Sequence, residues 1–222
     1  MACGTSGSYY EEVRTMIERP RRNRVTPFGT IEATHHRGQL LGNRGDLHAA
    51  DGSLGELTWK HRAWISCTLR HGSKRVGFDR PGTYYPLFFP DEAVAIAAGH
   101  RPCGKCRPRA HYLFKRAWNI ASGYQPDRKT YSREIDLSLH PDRIEPRTAI
   151  EAEVEALPNG TFVSLPNQPD LALLVWNDIL YRWHWDGYQE YCFRYETKKA
   201  ALLTPQKFVE VLAAGYDGVL LI

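Results

Sequence analysis

The chain has 222 residues, 42% of them hydrophobic and 24% charged, with a formal net charge of +4; that is enough for one sizeable core or two small ones. No apolar run approaches the ~20 residues that span a bilayer, and the first residues lack the apolar core of a signal peptide. Five cysteines, of which only Cys103 and Cys106 are closely spaced, make no disulfide framework; the expected setting is the cytoplasm and the expected state a monomer.

Residues 1–25 read as a polar lead-in, with Tyr10 to Ile17 as one amphipathic helix and Arg19, Arg21, Arg22 and Arg24 as a basic patch. From Thr26 to His48, glycines 29, 38, 42 and 45 are too frequent for helix, and short strands with tight turns are expected. Within it, Gly42-Asn43-Arg44-Gly45 exposes backbone beside an amide and a guanidinium. Arg44, like Arg37 nearby, can grip a phosphate. Asn43 can donate and accept at once, as reading a base edge requires. His48 adds a group that titrates near neutral pH. The competing reading of this stretch is a β-turn with an incidental arginine.

Trp59 to Leu69 alternates like a strand, His71-Gly72-Ser73 supplies a turn, and Arg75 to Phe78 returns as a partner. After the turn at Pro81-Gly82 come Tyr84, Tyr85, Phe88 and Phe89, read chiefly as packing residues, with base stacking as the lesser alternative. Pro90 suits a helix start, Asp91 and Glu92 suit the positive end of its dipole, and Gly99 suits a left-handed stop after Ala93 to Ala98. Then comes His-Arg-Pro-Cys-Gly-Lys-Cys-Arg-Pro-Arg, which carries Arg101, Lys105, Arg107 and Arg109 and no acid. Two cysteines at this spacing can grip one ion.

Pro108 opens a second helix through about Trp118. After a polar connector, Glu134 to His140 reads as a short helical turn stopped by Pro141. Asp136 and His140 share one face of it, as acid–base partners or as a structural hydrogen bond. The remainder, from 151, reads as a small β-rich unit. It has a turn at Leu157 to Gly160 and a hairpin, Leu171–Trp176 with Ile179–His184, turning at Asn177-Asp178. A final helix is capped by Thr204-Pro205 and ended by Gly215, and Val219 to Ile222 reads as a last strand. The fold class is therefore α+β: a β-rich region leading into a helix and Cys-x-x-Cys module over 26–150, then the small β-rich domain with one terminal helix over 151–222.

The order Ala97-Ala98-Gly99, Arg101-Pro102-Cys103, Cys106-Arg107-Pro108, following an aromatic and an alanine-rich helix, resembles the metal-binding module of Ada, the bacterial protein that senses and repairs alkylated DNA. The resemblance covers residues 88–109 and implies a DNA-facing module that holds zinc through four cysteines. Here the upstream half-site offers only Cys67, with His71 four residues later, so the candidate ligands are Cys67, Cys103 and Cys106, and a Cys/Cys/Cys/His site is open to the chain where a Cys₄ site is not. The whole chain is also similar to a group of bacterial proteins, from which no catalytic residues carry over.

No P-loop, dinucleotide fingerprint, His-Glu-x-x-His or Gly-x-Ser-x-Gly occurs. Pro-Cys-x-x-Cys lacks the His-x-Glu that a deaminase needs. Two readings survive. One is an enzyme acting on double-stranded DNA with a modified base, in repair or in defence against phages with modified DNA. It would cleave the N-glycosidic bond without a catalytic cofactor, zinc being structural. Asp136 would be its carboxylate, His48 its proton relay and Asn43 its base reader, while Arg37, Arg44, Arg101, Lys105, Arg107 and Arg109 contact DNA. The other is a non-catalytic DNA-binding or damage-sensing module.

Overall fold

The computed structural model describes residues 20–71, 74–75, 82–145 and 150–217, with strand pairing alone for 71, 74 and 75. The expected helix Tyr10–Ile17 and strand Val219–Ile222 lie outside the described residues. The architecture is mixed α+β, built on two six-stranded sheets.

The first sheet is mixed. Its strands are β1 (Arg22–Val25), β2 (Ile31–Ala33), β3 (Leu40–Asn43) and β4 (Ile65–Thr68). After a two-stranded hairpin of β5 (Arg70–His71) and β6 (Lys74–Arg75) come β7 (Leu87–Phe89) and β8 (Arg101–Pro102). The spatial order is β2-β1-β7-β3-β4-β8, with β1 parallel to β7 and β4 parallel to β8. The first strand thus falls inside the expected polar lead-in, where Val25 and Asn23 are buried.

Three helices accompany the sheet: α1 (Glu92–Ala97), which joins β7 to β8, then α2 (Pro108–Ala121) and α3 (Ser132–Ile144). All six residues of α1 are buried. Its alanines let both the first sheet and the second half of the chain approach closely. The cap is Asp91, whose carboxylate accepts from Val94 N at 2.8 Å; Pro90 stands one residue before the cap rather than in the first turn. Gly99 closes the helix with φ 81°, the left-handed stop its sequence predicts. The helix α3 is longer than the expected turn and runs through Pro141. The missing N–H of Pro141 deprives only the carbonyl four residues back, at exposed Leu137, where water is at hand.

The second sheet is antiparallel: β9 (Glu151–Glu153), β10 (Phe162–Leu165), β11 (Gln168–Trp176), β12 (Ile179–His184), β13 (Gly187–Phe193) and β14 (Lys199–Leu202), in the order β13-β12-β11-β10-β14-β9. The predicted hairpin turns at Asn177-Asp178, with Asn177 at φ 51°. The last helix, α4 (Gln206–Ala213), starts after Pro205, while the Thr204 hydroxyl accepts from Phe162 N at 2.8 Å instead of capping it. The two halves share a core in which Leu87, Phe89 and Val94 meet Phe162, Leu174 and Leu203. Two tyrosines from the second half clamp the acids at the start of α1. Tyr188 OH donates to Asp91 at 2.7 Å and Tyr216 OH to Glu92 at 2.6 Å. Among the described residues, no helix is long and apolar enough to cross a membrane.

Candidate metal centre and nucleic-acid interface

Strand register creates the site. In β3 and β4, Leu41 faces Cys67 and Asn43 faces Ile65 across the ladder, so these four side chains share one face of the sheet. On the opposite face, Gly42 lies against the Phe89 ring so closely that a Cβ there would stand 2.3 Å from it. Parallel pairing of β8 beside β4 then carries Cys103 alongside Cys67, with Cys103 N donating to Ser66 O at 2.9 Å. A tight turn, closed by Arg107 N to Cys103 O at 3.0 Å, brings round Cys106.

The sulfurs of Cys67, Cys103 and Cys106 lie 3.5–3.6 Å apart. That is close to the ~3.8 Å edge of a tetrahedron with ~2.3 Å metal–sulfur bonds, and all three thiols are free. The Cys103 thiol is pulled well below the usual range because the Cys67 thiol donates to it, reinforced by backbone N–H groups of Cys106 and Lys105 and opposed by burial. Cys67 is pushed up correspondingly, by that same hydrogen bond and by burial. A thiolate among thiols is the state from which a soft cation is captured, and the donor set fits zinc. The side chain of His71, the expected fourth ligand, lies outside the described residues. His111 is not a substitute, since its Nδ1 donates to Pro102 O at 3.1 Å and its Nε2 accepts from Ser132 Oγ at 3.2 Å.

A cavity of about 290 Å³ opens beside the cysteines, lined also by Asn43, Tyr84 and Lys105. Asn43 Oδ1 accepts from Gly45 N at 2.8 Å and from His61 Nε2 at 3.1 Å, and its amide nitrogen has no hydrogen-bond partner among the described residues. His61, which carried no motif signal in the sequence, stands beside the cavity residue Asn43 and donates to it. Its Nδ1 is buried without a partner among the described residues, and the charges of Asp136 and Arg143 both act on its ring. Burial is the main cause of its lowered pKa.

The expected DNA contacts divide by exposure. Lys105, Arg109 and Arg37 are exposed. Arg37 lines a 330 Å³ groove with Arg21, Arg24 and His35, a lining without an acid. Arg24 lies over the Phe88 ring at 4.7 Å, and burial together with the charge of Arg37 lowers its pKa. By contrast, Arg101 is buried and bound to Asp136. Arg107 is held by Ser66 Oγ at 3.0 Å and by Glu92. Arg44 is buried over Trp64 at 4.2 Å, with Nε donating to His100 Nε2 at 3.3 Å. Their flat guanidinium faces and fixed donors serve packing and internal pairing in place of surface phosphates.

The expected catalytic residues are also dispersed. Asp136 accepts both prongs of Arg101, with Arg143 Nη2 at 3.5 Å. His140 shares its helix face but makes no hydrogen bond to it. Both His140 ring nitrogens are buried without a partner among the described residues, and the ring meets Trp59 edge-on at 4.3 Å. The fork of Arg101 offers Asp136 two aligned donors, which one imidazole cannot match. His48 Nδ1 donates to Asp46 at 2.6 Å and its ring lies edge-on to Tyr85, outside the cavities described above. A third cavity, of about 380 Å³, is lined by Phe28, Arg44, Trp59, Trp64, Arg143 and Glu145. Apart from Arg44, its residues carried no motif signal in the sequence. Compared with protein-family models, with curated proteins and with solved structures, the chain matches none.

Proposed function

We propose that this chain is a DNA-binding enzyme that excises a modified base from double-stranded DNA, cleaving the N-glycosidic bond and leaving an abasic site. A structural zinc at Cys67, Cys103 and Cys106 stiffens its DNA-facing knuckle, zinc held by cysteines being what the likeness to the Ada module implies. The observation that carries the reading is the juxtaposition of Asn43 and Lys105 in the lining of the cavity beside the three cysteines. An amide suited to a base edge and a cation suited to a phosphate are thereby set on one rigid frame. The acid-free groove of Arg21, Arg24 and Arg37 supplies a second place for backbone phosphates.

For the chemistry, a carboxylate must offset positive charge that develops on the sugar. Asp136 fills that role in this reading, its charge acting through space on His61, which donates to Asn43 in the cavity wall. The test is incubation of the protein with normal and base-modified duplexes, then alkali, which breaks strands at abasic sites. Breaks confined to one modified duplex are the expected result. A second reading, the non-catalytic DNA or damage sensor, is favoured by the pairing of Asp136 with Arg101, which commits the carboxylate to the interior. Tight binding to modified duplexes with no strand breaks selects it.

A further inference from the structure

The 380 Å³ cavity near the end of α3 has an unusual lining. Phe28, Trp59 and Trp64 supply aromatic planes and Arg44 and Arg143 supply guanidinium planes. Arg44 and Arg143 lie over Trp64 at 4.2 and 5.6 Å. Trp64 and both arginines are almost wholly buried, whereas Glu145 is exposed at the mouth. His140, 7% exposed, meets both indoles edge-on, at 4.3 Å from Trp59 and 6.4 Å from Trp64.

Flat walls select a flat ligand. The donors of Arg44 and Arg143 are held inside the protein, by His100 and Gly29 and by Gly99, Arg62 and Asp136, so the floor offers a ligand planar surface backed by positive charge, which suits an electron-rich ring. Stacking on aromatic and arginine planes is how proteins hold an unstacked base. We infer that this cavity receives the extruded nucleobase, and that Glu145, at its mouth, is the carboxylate that faces the sugar. This rests on the base-excision reading, and it moves the reacting centre from Asp136 to Glu145. As the C1′–N bond breaks, its electron pair leaves with the base nitrogen. Water adds its oxygen to C1′, and the proton it sheds ends on the departing nitrogen. Glu145 offsets the transient positive charge at C1′ or orients that water.

The experiment is single-turnover base release from a modified duplex, beside duplex affinity and melting temperature, for wild type, Glu145→Gln and Thr58→Trp. Both altered residues are exposed, and Thr58 stands in the lining, where a tryptophan narrows the entrance. Glu145→Gln is expected to slow release by ~10²-fold or more, and Thr58→Trp to abolish it, with melting unchanged in both and duplex affinity unchanged in Glu145→Gln. Wild-type rates in both variants overturn the inference while leaving base excision standing. If wild type releases no base, the excision reading fails, and quenching of tryptophan fluorescence by free nucleobases decides the pocket. Saturable quenching lost in Thr58→Trp upholds it. No quenching, or an equal response to inorganic phosphate, overturns it.

Discussion

Arg101 and Asp136 form a two-pronged ion pair in the interior, Nε to Oδ1 at 2.9 Å and Nη2 to Oδ2 at 2.6 Å, between residues 35 apart in the chain. It ties the strand that leads into the cysteine turn to α3. With Arg143 also within 3.5 Å of Asp136, removing the acid strands two buried cations. Asp136→Asn is therefore expected to destabilise the fold by about 3–5 kcal/mol, a fall in melting temperature of roughly 6–20 °C at this chain length. The double variant Arg101→Leu, Asp136→Leu should recover part of the loss. Melting scans of the three proteins check it; an unchanged melting temperature in Asp136→Asn contradicts a structural role for the pair.

What sequence alone could reveal follows from the range over which each feature is decided. Asp91, Gly99, Pro108 and the Asn177-Asp178 turn act on their immediate neighbours, and the elements they punctuate stand where expected. Cys67 beside Cys103 depended on an Ada-like spacing to be noticed, because only the parallel pairing of β4 with β8 brings them together. The partnership of Arg101 with Asp136 had no local signal at all. An arginine in a basic run reads as surface until the fold supplies a buried acid. His61, Arg143 and Glu145 escaped for the same reason, being brought to the site by contacts over long chain separations.

Zinc should copurify at about one ion per chain and stabilise the folded state, since binding free energy adds to folding free energy. At a free concentration a thousand times the dissociation constant the gain is about 4 kcal/mol, or roughly 8–16 °C in melting temperature. Cys106→Ser, or a strong chelator, should remove most of it. Elemental analysis and melting with and without chelator are the measurements. A metal-free protein whose melting ignores added zinc leaves the three cysteines as packing residues.

Exposed and internally paired cations of the knuckle should behave differently. Replacing Lys105 and Arg109 by alanine is expected to leave the melting temperature unchanged. The slope of log affinity against log salt should become shallower by ~0.9 for each phosphate that is no longer neutralised. Arg107→Ala should lower stability instead, because Glu92 and Ser66 lose their partner. Duplex binding at several salt concentrations separates the two classes, and an unchanged slope in the Lys105, Arg109 double variant moves the DNA surface elsewhere.

Acidification should weaken the fold near neutral pH. Burial lowers the pKa of both His61 and His140; nearby arginines add to the effect and Asp136 opposes it. The unfolded chain therefore takes up protons first, near pH 6.5. Stability accordingly falls from about that pH downward until the folded-state values are reached. His140→Leu, which removes one of the two groups, should give a shallower decline between pH 7 and the folded-state value than wild type. Melting temperatures across that window test this, and parallel curves for the two proteins rule out His140 as a contributor.

Asn43 can be tested without disturbing the turn it organises. Its Oδ1 accepts from Gly45 N and His61 Nε2, and a carboxylate in the same place keeps both acceptor roles. Asn43→Asp should therefore fold with nearly unchanged melting temperature, whereas Asn43→Ala should lose about 0.5–1.5 kcal/mol for each hydrogen bond removed. What the aspartate cannot do is donate from the position of Nδ2, and it adds a negative charge close to Lys105 and to approaching phosphates. If the amide reads a base edge, Asn43→Asp should bind its preferred duplex more weakly by about 1–3 kcal/mol, roughly 5- to 150-fold. The loss should be smaller on duplexes with a different base at that position, because the added charge alone weakens every duplex alike. Affinities measured on two or more duplexes at one salt concentration separate recognition from repulsion. An equal loss on all of them assigns Asn43 to the fold and not to the reading of DNA.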